Sequence, residues 1–542
     1  MGLPGTSPSE KYALLSVWDK TGLLPFATGL IELGYKLLST GGTFEALTKV
    51  GLPVISVSDY TRAPEILDGR VKTLHPKIHG GVLARTDNPK DLAELVANEI
   101  APIEIVCVNL YPFVDKVREI EAAGKSTHAS LIEFIDIGGP TLLRAAAKNN
   151  RFVLPVCDPA DYDRVLLALR EASLVSEALR QKLAEKVFTT TSAYDGAIAR
   201  YFSLREQLMN DDGSPKQLAP VEAFVVRAQE MLRYGENPHQ AAGFYRRVSS
   251  TSSPTVWKKL QGKEISYNNL LDMNAAIDLF VDIHGAFPSR HAAVIIKHLN
   301  PCGVAFGGSA KEAFESARAC DSISAFGGIV AVSGTVDGAL AASIIEGFVE
   351  IVVAQQFAAE ALEVFGKKKN IRVIEYDLAG LGGRAGVPFL SVRNFHDDFM
   401  VQTSDASINS VAGGQVVSSR PVSEAEVSDL ELAWRVCKHV KSNAIVIAKQ
   451  GRAIGIGAGQ MSRVDAARIA LLRANERGHD VRGGVAASDA FLPFPDTLQI
   501  LADAGVVALV QPGGSIKDEE VIAEANKRQM GMVITGDRHF RH

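Results

Sequence analysis

The stretch AAVIIKHLNPCG, residues 292–303, indicates the fold more clearly than any other part of the sequence. Its apolar start, residues 292–296, predicts a buried strand, which the Asn-Pro pair and Gly303 are expected to end in a tight turn. Lys297 and His298 then stand at the carboxyl end of the strand, where open α/β sheets bind their ligands. Imidazole accepts a proton near neutral pH, and lysine adds a positive charge. A lone Lys-His pair is more often a structural strand end, so the neighbouring motifs have to decide its role.

Size and composition predict a multidomain α/β protein. The chain has 542 residues, of which 46% are hydrophobic and 22% charged, so two or three domains with a large core are expected. A formal net charge of −5 gives no basic field for nucleic acid. Five scattered cysteines without a C-x-x-C pair favour a reducing compartment and argue against a disulfide frame. No signal-type or membrane-spanning apolar segment is present, so a cytoplasmic protein is expected.

The first region alternates apolar runs with helix-like segments, which predicts a mostly parallel sheet with helices on both faces. The predicted strands are residues 12–17, 35–38, 53–57, 103–108 and 152–156. The predicted helices include residues 23–33, 43–50, 91–98 and 141–149. A polar, turn-rich cluster at residues 210–215 predicts a boundary between domains of residues 1–208 and 209–542. The second domain is expected to be α/β as well, without a fixed-period repeat.

Small polar residues and glycines follow the predicted strands of the first region. The turn at residues 39–43 suits a phosphate at a helix N-terminus, although an ordinary helix N-cap fits it equally well. Lys72 can add positive charge beside an anion, and Asp136 can accept or orient a proton. Spacing alone makes Lys148 a solvated helix lysine. The other candidate ligand-binding residues are Ser16, Asp19, Lys20, Ser39, Thr40, Gly41, Gly42, Thr43, Arg70, Thr73, Asn109, Tyr111, Gly138 and Gly139.

These motifs resemble the IMP cyclohydrolase domain of a bifunctional purine-synthesis family. The matching segments, in family order, are SVWDKTG (16–22), STGGT (39–43), RVKTLHP (70–76), NLYPF (109–113), DIGG (136–139) and AAAKN (145–149). The resemblance implies a parallel-sheet domain similar to methylglyoxal synthase. It implies ring closure by attack of a carboxamide nitrogen on a formyl group, followed by loss of water. It also implies that Lys72, Tyr111, Asp136 and Lys148 form the catalytic group.

Polar and glycine-rich turns recur in the second region. The octapeptide RYGENPHQ, residues 233–240, offers Arg233 for a phosphate and Tyr234 for a heterocycle, although a surface loop explains it as well. The run GIGAGQ, residues 455–460, lacks the third glycine of G-x-G-x-x-G in its place, which argues against a dinucleotide fold. Further candidate turns are DSISAFGG (321–328), KSNA (441–444), MSR (461–463), SDAFLPFPD (488–496), QPGGS (511–515) and GDRHF (536–540).

In this order, the second set of motifs resembles the AICAR formyltransferase domain of the same family. The resemblance implies that His298 takes the proton from the 5-amino group of AICAR as this amine attacks the formyl carbon of 10-formyltetrahydrofolate. Lys297 then stabilises the oxyanion or helps the folate nitrogen to leave. The implied nucleotide and folate contacts are Arg233, Tyr234, Gly327, Asn443, Arg463, Asp496, Ser515 and Arg538. A folate-side aspartate of some relatives aligns loosely with Glu350.

The resemblance has further implications for architecture and assembly. It implies a transformylase region of two cytidine-deaminase-like subdomains. It also implies a homodimer with the transferase sites at the subunit interface and no catalytic metal.

Two other functions remain as alternatives. A zinc nucleobase deaminase is suggested by Pro301-Cys302 near histidines, but the residue three beyond Cys302 is Ala305 and no H-x-E precedes it. A regulatory nucleotide-binding module is the alternative without catalysis, and it requires a second region that lacks a proton-transfer pair such as Lys297-His298. Folate-dependent formylation distinguishes these possibilities.

Overall fold

The computed structural model describes residues 10–67, 69–122, 128–171, 175–206, 218, 221, 223–247, 257–377 and 390–542. Two compact units divide the chain. Unit 1 comprises Met1–Arg227 with Tyr245–Thr251, and unit 2 comprises Ala228–Phe244 with Ser252–His542. The predicted boundary between residues 208 and 209 lies outside the described residues and stays a prediction. Within the described ranges, no helix is long and apolar enough to cross a membrane.

Unit 1 contains a five-stranded parallel sheet in the order β3-β2-β1-β4-β5. Its strands are β1 (Lys11–Val17), β2 (Tyr35–Ser39), β3 (Val54–Ser56), β4 (Ile103–Asn109) and β5 (Leu154–Val156). Its helices are α1 (Leu23–Glu32), α2 (Gly41–Lys49), α3 (Val57–Thr61), α4 (Pro76–Leu83), α5 (Pro89–Ala97), α6 (Phe113–Ala122), α7 (His128–Ile132), α8 (Gly138–Lys148), α9 (Tyr162–Glu171) and α10 (Glu177–Glu206).

Both faces of this sheet are buried, which explains why its strands read as continuous apolar runs. Ala13 and Leu15 of β1 enter one core with α1 and α9, whereas Tyr12 and Leu14 enter a second core with α4 and α8. Helices α4 and α5 each begin at a proline, and the side chains of His75 and Asn88 accept their first free N–H groups. The predicted α/β character of the first region is confirmed.

Unit 2 is built on a twelve-stranded mixed sheet in the order β18-β23-β22-β21-β19-β20-β10-β9-β11-β13-β15-β8. The strands, including three two-stranded pairs, are β6 (Val226–Leu232), β7 (Ala242–Arg247), β8 (Trp257–Gln261), β9 (His291–Lys297), β10 (Asn300–Gly307), β11 (Gly328–Val332), β12 (Thr335–Val336), β13 (Val349–Ala354), β14 (Gln356–Phe357), β15 (Arg372–Tyr376), β16 (Leu390–Phe395), β17 (Asp398–Thr403), β18 (Gln415–Val416), β19 (Ile445–Lys449), β20 (Arg452–Gly457), β21 (Val485–Ser488), β22 (Ala508–Gln511) and β23 (Gly531–Ile534).

The helices of unit 2 are α11 (Tyr267–Ala286), α12 (Ala310–Cys320), α13 (Gly338–Glu346), α14 (Ala359–Gly366), α15 (Glu424–Lys438), α16 (Arg463–Glu476), α17 (Asp496–Asp503) and α18 (Asp518–Lys527). Two of them, α11 and α15, begin with capping boxes, in which Ser266 pairs with Asn269 and Ser423 pairs with Glu426.

The large sheet consists of two halves with one topology. In the first half, α11 leads into the antiparallel hairpin β9–β10, and β9 pairs on its other side with the parallel series β11, β13 and β15. In the second half, α15 leads into the hairpin β19–β20, and β19 pairs with the parallel series β21, β22 and β23. The halves join where β10 runs antiparallel to β20. The sequence shows no fixed-period repeat, so apart from the two subdomains that the family resemblance implies, this duplication is visible only in the structure.

The two faces of the sheet are packed differently. On one face, a single core that includes residues of α11 and α15 spans both halves. On the other face, the first half packs against α12, α13 and α14, and the second half packs separately against α16, α17 and α18. The hairpin turns of the two halves are therefore fixed on a rigid three-layer frame.

Candidate functional site

Asn109 joins the carboxyl ends of the two central strands of unit 1, β1 and β4. Its Oδ1 accepts hydrogen bonds from the backbone N–H groups of Trp18 at 2.6 Å and Asp19 at 2.9 Å, and its amide donates to the Asp19 carbonyl at 2.9 Å. The strand order reverses between β1 and β4, and such switch points form the ligand crevice of open parallel sheets. The rings of Trp18 and Tyr111 lie 4.8 Å apart at this edge, and both are exposed.

The hydroxyl groups of the turn at residues 39–43 serve the fold. The Ser39 hydroxyl donates to the Leu15 carbonyl at 2.8 Å, and the Thr43 hydroxyl contacts both backbone polar groups of Val17 at 2.9 Å. Thr40 donates to Glu65 Oε1 at 2.5 Å. The hydroxyl groups of Ser39 and Thr43 are thus engaged with β1, and their predicted role in binding a ligand stays a prediction. No side chain among the described residues caps α2, so its first N–H groups are left for a ligand.

Two ammonium groups lie beside the N-terminus of α2. A Cβ atom built on Gly41 comes within 3.1 Å of Lys72 Nζ, and one built on Gly42 comes within 3.9 Å of Lys20 Nζ. Lys72 also forms an ion pair with Glu65 at 3.4 Å, which holds it at this position. Free N–H groups, a helix dipole and two cations together suit a phosphate.

Asp136 forms a second corner of the unit 1 site. Its Oδ1 accepts from the Gly139 backbone N–H at 2.8 Å, and its own N–H donates to the Tyr194 hydroxyl at 2.7 Å. Burial raises the pKa of Asp136, while hydrogen bonds from the backbone of Gly139 and Tyr111 oppose the shift. The neighbouring Gly138 leaves only 3.0 Å between a Cβ atom and the Thr73 hydroxyl. A buried carboxyl group with a raised pKa is a candidate for proton transfer to a ligand bound beside it.

Other predicted residues of unit 1 lie at its surface. Lys148 is the last residue of α8 and is exposed, and no described contact joins it to Asp136. Arg70 forms an ion pair with Glu133. Ser16 belongs to β1 and pairs with Val108 of β4 in the central part of the sheet.

The turn between β9 and β10 lies two residues earlier than predicted. Lys297 pairs with Asn300 across the hairpin, so the turn is His298-Leu299, and the Asn-Pro pair already belongs to β10. His298 and Leu299 have φ values of 50° and 65°, the left-handed conformation that L-residues other than glycine seldom adopt. His298 is exposed at the end of the strand, as predicted.

Lys297 is held by the loop that precedes β11. Its Nζ donates to the carbonyls of Phe326 at 3.0 Å and Gly327 at 3.1 Å, which leaves one of three ammonium protons for another acceptor. Gly327 has a φ of 69°, and a Cβ atom there would come within 2.9 Å of Lys297 Nζ. Phe326 packs 5.2 Å from Phe348, and both rings are exposed. The position thus combines a cation with a flat apolar surface.

The predicted arginines of unit 2 lie over aromatic rings. The Arg233 guanidinium is 4.8 Å from the Tyr234 ring centre and donates to its hydroxyl at 3.1 Å. Arg538 and Arg463 lie 4.5 Å and 5.7 Å from the Phe540 ring centre. Stacking restricts such guanidinium groups and leaves their N–H edges available to an anion.

Arg463 has a second neighbour in the buried Asp489. Its Nη2 is 3.5 Å from Asp489 Oδ1, and burial raises the pKa of this carboxyl group.

Several expected contacts of unit 2 are already engaged within the chain. The N–H groups of Gly514 and Ser515 donate to Asp518 Oδ2 at 2.7 Å and 3.1 Å, so this turn does not offer them to a ligand. The Asn443 amide donates to the Gln460 carbonyl at 2.9 Å. Asp496 begins α17, is exposed, and accepts from the Thr497 N–H at 2.7 Å.

Glu350 is part of a polar cluster. It accepts a hydrogen bond from Asn269 at 2.7 Å and pairs with Arg372 at 3.5 Å. Burial lowers the pKa of Arg372, and the nearby Arg233 lowers it further. The cluster therefore places Glu350 in the neighbourhood of the predicted nucleotide arginine.

Sequence reasoning missed four residues that shape these sites: Trp18, Glu65, Tyr194 and Asp272. Trp18 stands inside the motif SVWDKTG, and Asp272 ends the polar stretch ISYNNLLD, residues 265–272, so both had a local signal. Glu65 and Tyr194 had none, because only the fold brings them to Lys72 and Asp136. The described residues contain no cluster of three or more His, Cys, Asp or Glu side chains that could hold a metal ion.

Comparisons with known proteins identify the family of the chain. A family model described as AICARFT/IMPCHase bienzyme matches residues 146–473, and one described as an MGS-like domain matches residues 22–141. The chain is 48% identical over 538 residues to the bifunctional purine biosynthesis protein PurH of Sorangium cellulosum, covering 98% of this chain and 99% of that protein. It is 47% identical over 538 residues to PurH of Rhodospirillum rubrum, covering 98% of each. A solved structure of ForH, 38% identical over 36% of this chain and 99% of its own, superposes with a TM-score of only 0.32.

Proposed function

The chain belongs to the AICARFT/IMPCHase bienzyme family, and from this membership we propose how its residues divide the two reactions. It is a bifunctional enzyme of purine biosynthesis with AICAR formyltransferase and IMP cyclohydrolase activity. The predicted fold class, with an MGS-like parallel-sheet domain at the N-terminus, is confirmed. The likeness of the two halves of unit 2 to cytidine deaminase stays a prediction.

Formyl transfer belongs to unit 2 in this proposal, with His298 as the general base. The amine of AICAR is a weak nucleophile because its lone pair is delocalised into the imidazole carboxamide. His298 therefore removes its proton as the C–N bond to the formyl carbon forms. Lys297 directs its remaining ammonium proton to the oxygen that becomes negative in the tetrahedral intermediate, or to the folate nitrogen that leaves.

The donor in this proposal is 10-formyltetrahydrofolate, and the family activity implies a formylated folate. The exposed Phe326–Phe348 pair beside Lys297 suits a flat heterocycle. Arg233 with Tyr234, and Arg538 with Phe540, hold the nucleotide. Asn443, Arg463, Asp496 and Ser515 contribute polar contacts through the groups that their own hydrogen bonds leave available. Glu350 supplies a carboxylate close to Arg233.

Ring closure belongs to unit 1 in this proposal. The N-terminus of α2, with Lys20 and Lys72 beside Gly41 and Gly42, binds the phosphate. Asp136 and Tyr111 share the crevice at the ends of β1 and β4, where they exchange protons with the carboxamide and the departing water. Lys148, the last residue of α8, is assigned to the same reaction by the family resemblance, without a described contact to Asp136. Removal of the formylated product by this second reaction draws the unfavourable formyl transfer forward.

We further propose a cytoplasmic homodimer with transferase sites at the subunit interface. Five free cysteines, of which four are buried, suit a reducing compartment. Sedimentation of the purified protein tests the dimer.

The observation that carries the division of labour is the position of Lys297 and His298 at one strand end, with the cation fixed by two carbonyls. The test uses the full-length chain and two assays. His298→Ala is expected to abolish formyl transfer and to leave cyclisation of supplied formyl-AICAR intact, and Lys148→Ala is expected to do the reverse. A folded variant that loses both activities would contradict the proposal.

A further inference from the structure

The His298-Leu299 turn is held in an unfavourable backbone conformation. Among the described residues, it contains the only two consecutive non-glycine residues with positive φ. A two-residue hairpin turn with positive φ at both positions normally uses Asn-Gly or Gly-Gly, because the left-handed conformation costs about 1–2 kcal/mol for each other L-residue. Neighbouring groups must therefore hold this turn in place.

Two side chains supply these contacts. The Leu299 N–H donates to Asp272 Oδ1 at 2.7 Å, from the helix α11 that packs against the hairpin. The Asn300 amide donates to the His298 carbonyl at 3.1 Å, and Asn300 Oδ1 accepts from the Lys441 N–H at 3.1 Å. Asp272 thus fixes the second turn residue, and Asn300 fixes the first.

The other half of the sheet has a similar turn with one strained residue instead of two. Its hairpin turn is Gln450-Gly451, with φ values of 51° and 73°. Both N–H groups of this turn donate to Asp429 at 2.7 Å. Asp272 and Asp429 are each the sixth residue of their helices, α11 and α15. The aspartate is common to both turns, and the catalytic turn differs by carrying leucine where the other carries glycine.

We infer that Asp272 is a positioning residue for formyl transfer, which holds the His298-Leu299 turn in the left-handed conformation that presents the His298 imidazole. This inference rests on the proposed role of His298 and adds the group that fixes its backbone. Without the Asp272 acceptor, Leu299 returns to an extended or right-handed conformation, and the imidazole is displaced. A displacement of about 1 Å lowers a rate by roughly 100-fold.

Asp272→Ala is therefore expected to lower kcat for formyl transfer about 10- to 100-fold. The KM for AICAR should change less than about twofold, because no AICAR contact is assigned to Asp272. Asp272→Asn should retain most of the rate, since its amide oxygen can accept the same N–H group. Cyclisation of supplied formyl-AICAR should be unchanged in all variants. Asp429→Ala is the matched control, expected to leave both kcat values unchanged.

The deciding variant is Asp272→Ala combined with Leu299→Gly, which copies the glycine of the second turn. Glycine adopts positive φ without help, so this double variant should recover most of the kcat that Asp272→Ala loses. Leu299→Gly alone is the reference for lost packing. In a His298→Ala background, Asp272→Ala should cause no further loss, because both substitutions act through one imidazole.

Each result has a separate meaning. No loss in Asp272→Ala, or no recovery with Leu299→Gly, overturns the positioning role while the function of His298 stands. An unimpaired His298→Ala enzyme overturns the proposed function itself. If Asp272→Ala does not fold, Asp272→Ser replaces it. Its shorter side chain withdraws the acceptor from the Leu299 N–H group, so a kcat equal to that of the unmodified enzyme would contradict the inference.

Discussion

The two halves of the twelve-stranded sheet share a hairpin frame but differ in the residues at its turn. In each half, the last strand residue before the turn is a lysine whose Nζ donates to two backbone carbonyls of the loop before the parallel strands. Lys297 contacts Phe326 and Gly327, and Lys449 contacts Asp480 and Arg482. The hairpin, the lysine and the helix aspartate thus belong to the architecture. The proposed chemistry enters where His298-Leu299 stands in place of Gln450-Gly451.

Lys297 combines a structural role with the proposed contact to the substrate. Its bonds to the loop before β11 are structural, as the equivalent bonds of Lys449 demonstrate. The surroundings of the two lysines differ in the exposed phenylalanine pair next to Lys297. Among the described residues, such a pair of exposed rings lies beside Lys297 and not beside Lys449, and we propose that this surface receives the substrate.

The largest difference between the halves is expected from removal of the two lysine charges. Lys297→Met should lower kcat for formyl transfer about 10²- to 10³-fold, because one donor to a developing oxyanion contributes this much. Lys449→Met, its structural counterpart, should leave kcat within about twofold. Steady-state formyl transfer on both full-length variants is the measurement. Equal losses in the two variants would mean that the lysines act only by holding the loops.

A second prediction tests whether ring closure is independent of the duplicated sheet. Burial raises the pKa of Asp136, so its carboxyl group keeps its proton to a higher pH than an exposed aspartate. As the pH falls, the ionised form that accepts a proton is lost earlier, and the acid limb of cyclisation should lie above the ordinary aspartate value of 3.8. Asp136→Asn should remove this limb and lower kcat about 100-fold.

The control for Asp136 is the other activity of the same protein. Formyl transfer by Asp136→Asn should follow the pH profile of the unmodified enzyme. A change in that profile would show that the two activities are coupled through this carboxyl group.

The smallest expected effect concerns the strain that distinguishes the two turns. Gly451→Leu gives the second turn the leucine of the first. A Cβ atom at this position lies 3.4 Å from Phe306, an ordinary contact, so the cost is conformational and should be about 1–2 kcal/mol of stability. Thermal unfolding measures it, and kcat for formyl transfer should not change. An unaltered unfolding midpoint would mean that the Asp429 contacts absorb the strain completely.

Strand positions were predicted well from the sequence where an apolar run coincides with burial on both faces of the sheet. Strands β1 and β4 are buried on both faces, so their apolar runs located them closely. The Lys-His pair was placed correctly at a strand end because the buried run before it is unambiguous. Motifs in a fixed order identified both activities, which no single motif could have done.

Prediction failed where contacts distant in sequence override local preference. Asn-Pro-Cys-Gly, residues 300–303, is a good turn by composition, but Asp272, 26 residues before His298, fixes the turn earlier. Ser39 and Thr43 suit a phosphate turn, yet their hydroxyls bond to β1. The sequence itself shows no repeat for the two halves, because they share topology while their helix starts, SYNNLLD and SEAEVSD, retain only the capping serine and the aspartate.

The unequal packing of the sheet also decides how unit 2 responds to stress. Each half has its own apolar layer on one side, and these layers are connected where Arg477, after α16, bonds to Asp321, after α12, at 2.7 Å. The core that contains α11 and α15 is common to both halves of the sheet. Asp282 of α11 connects the two helices, because Lys438 and His439 bond to its carboxylate at 2.8 Å and 2.7 Å. Amide hydrogens of these two helices should therefore exchange last, and loss of this core should unfold both halves together.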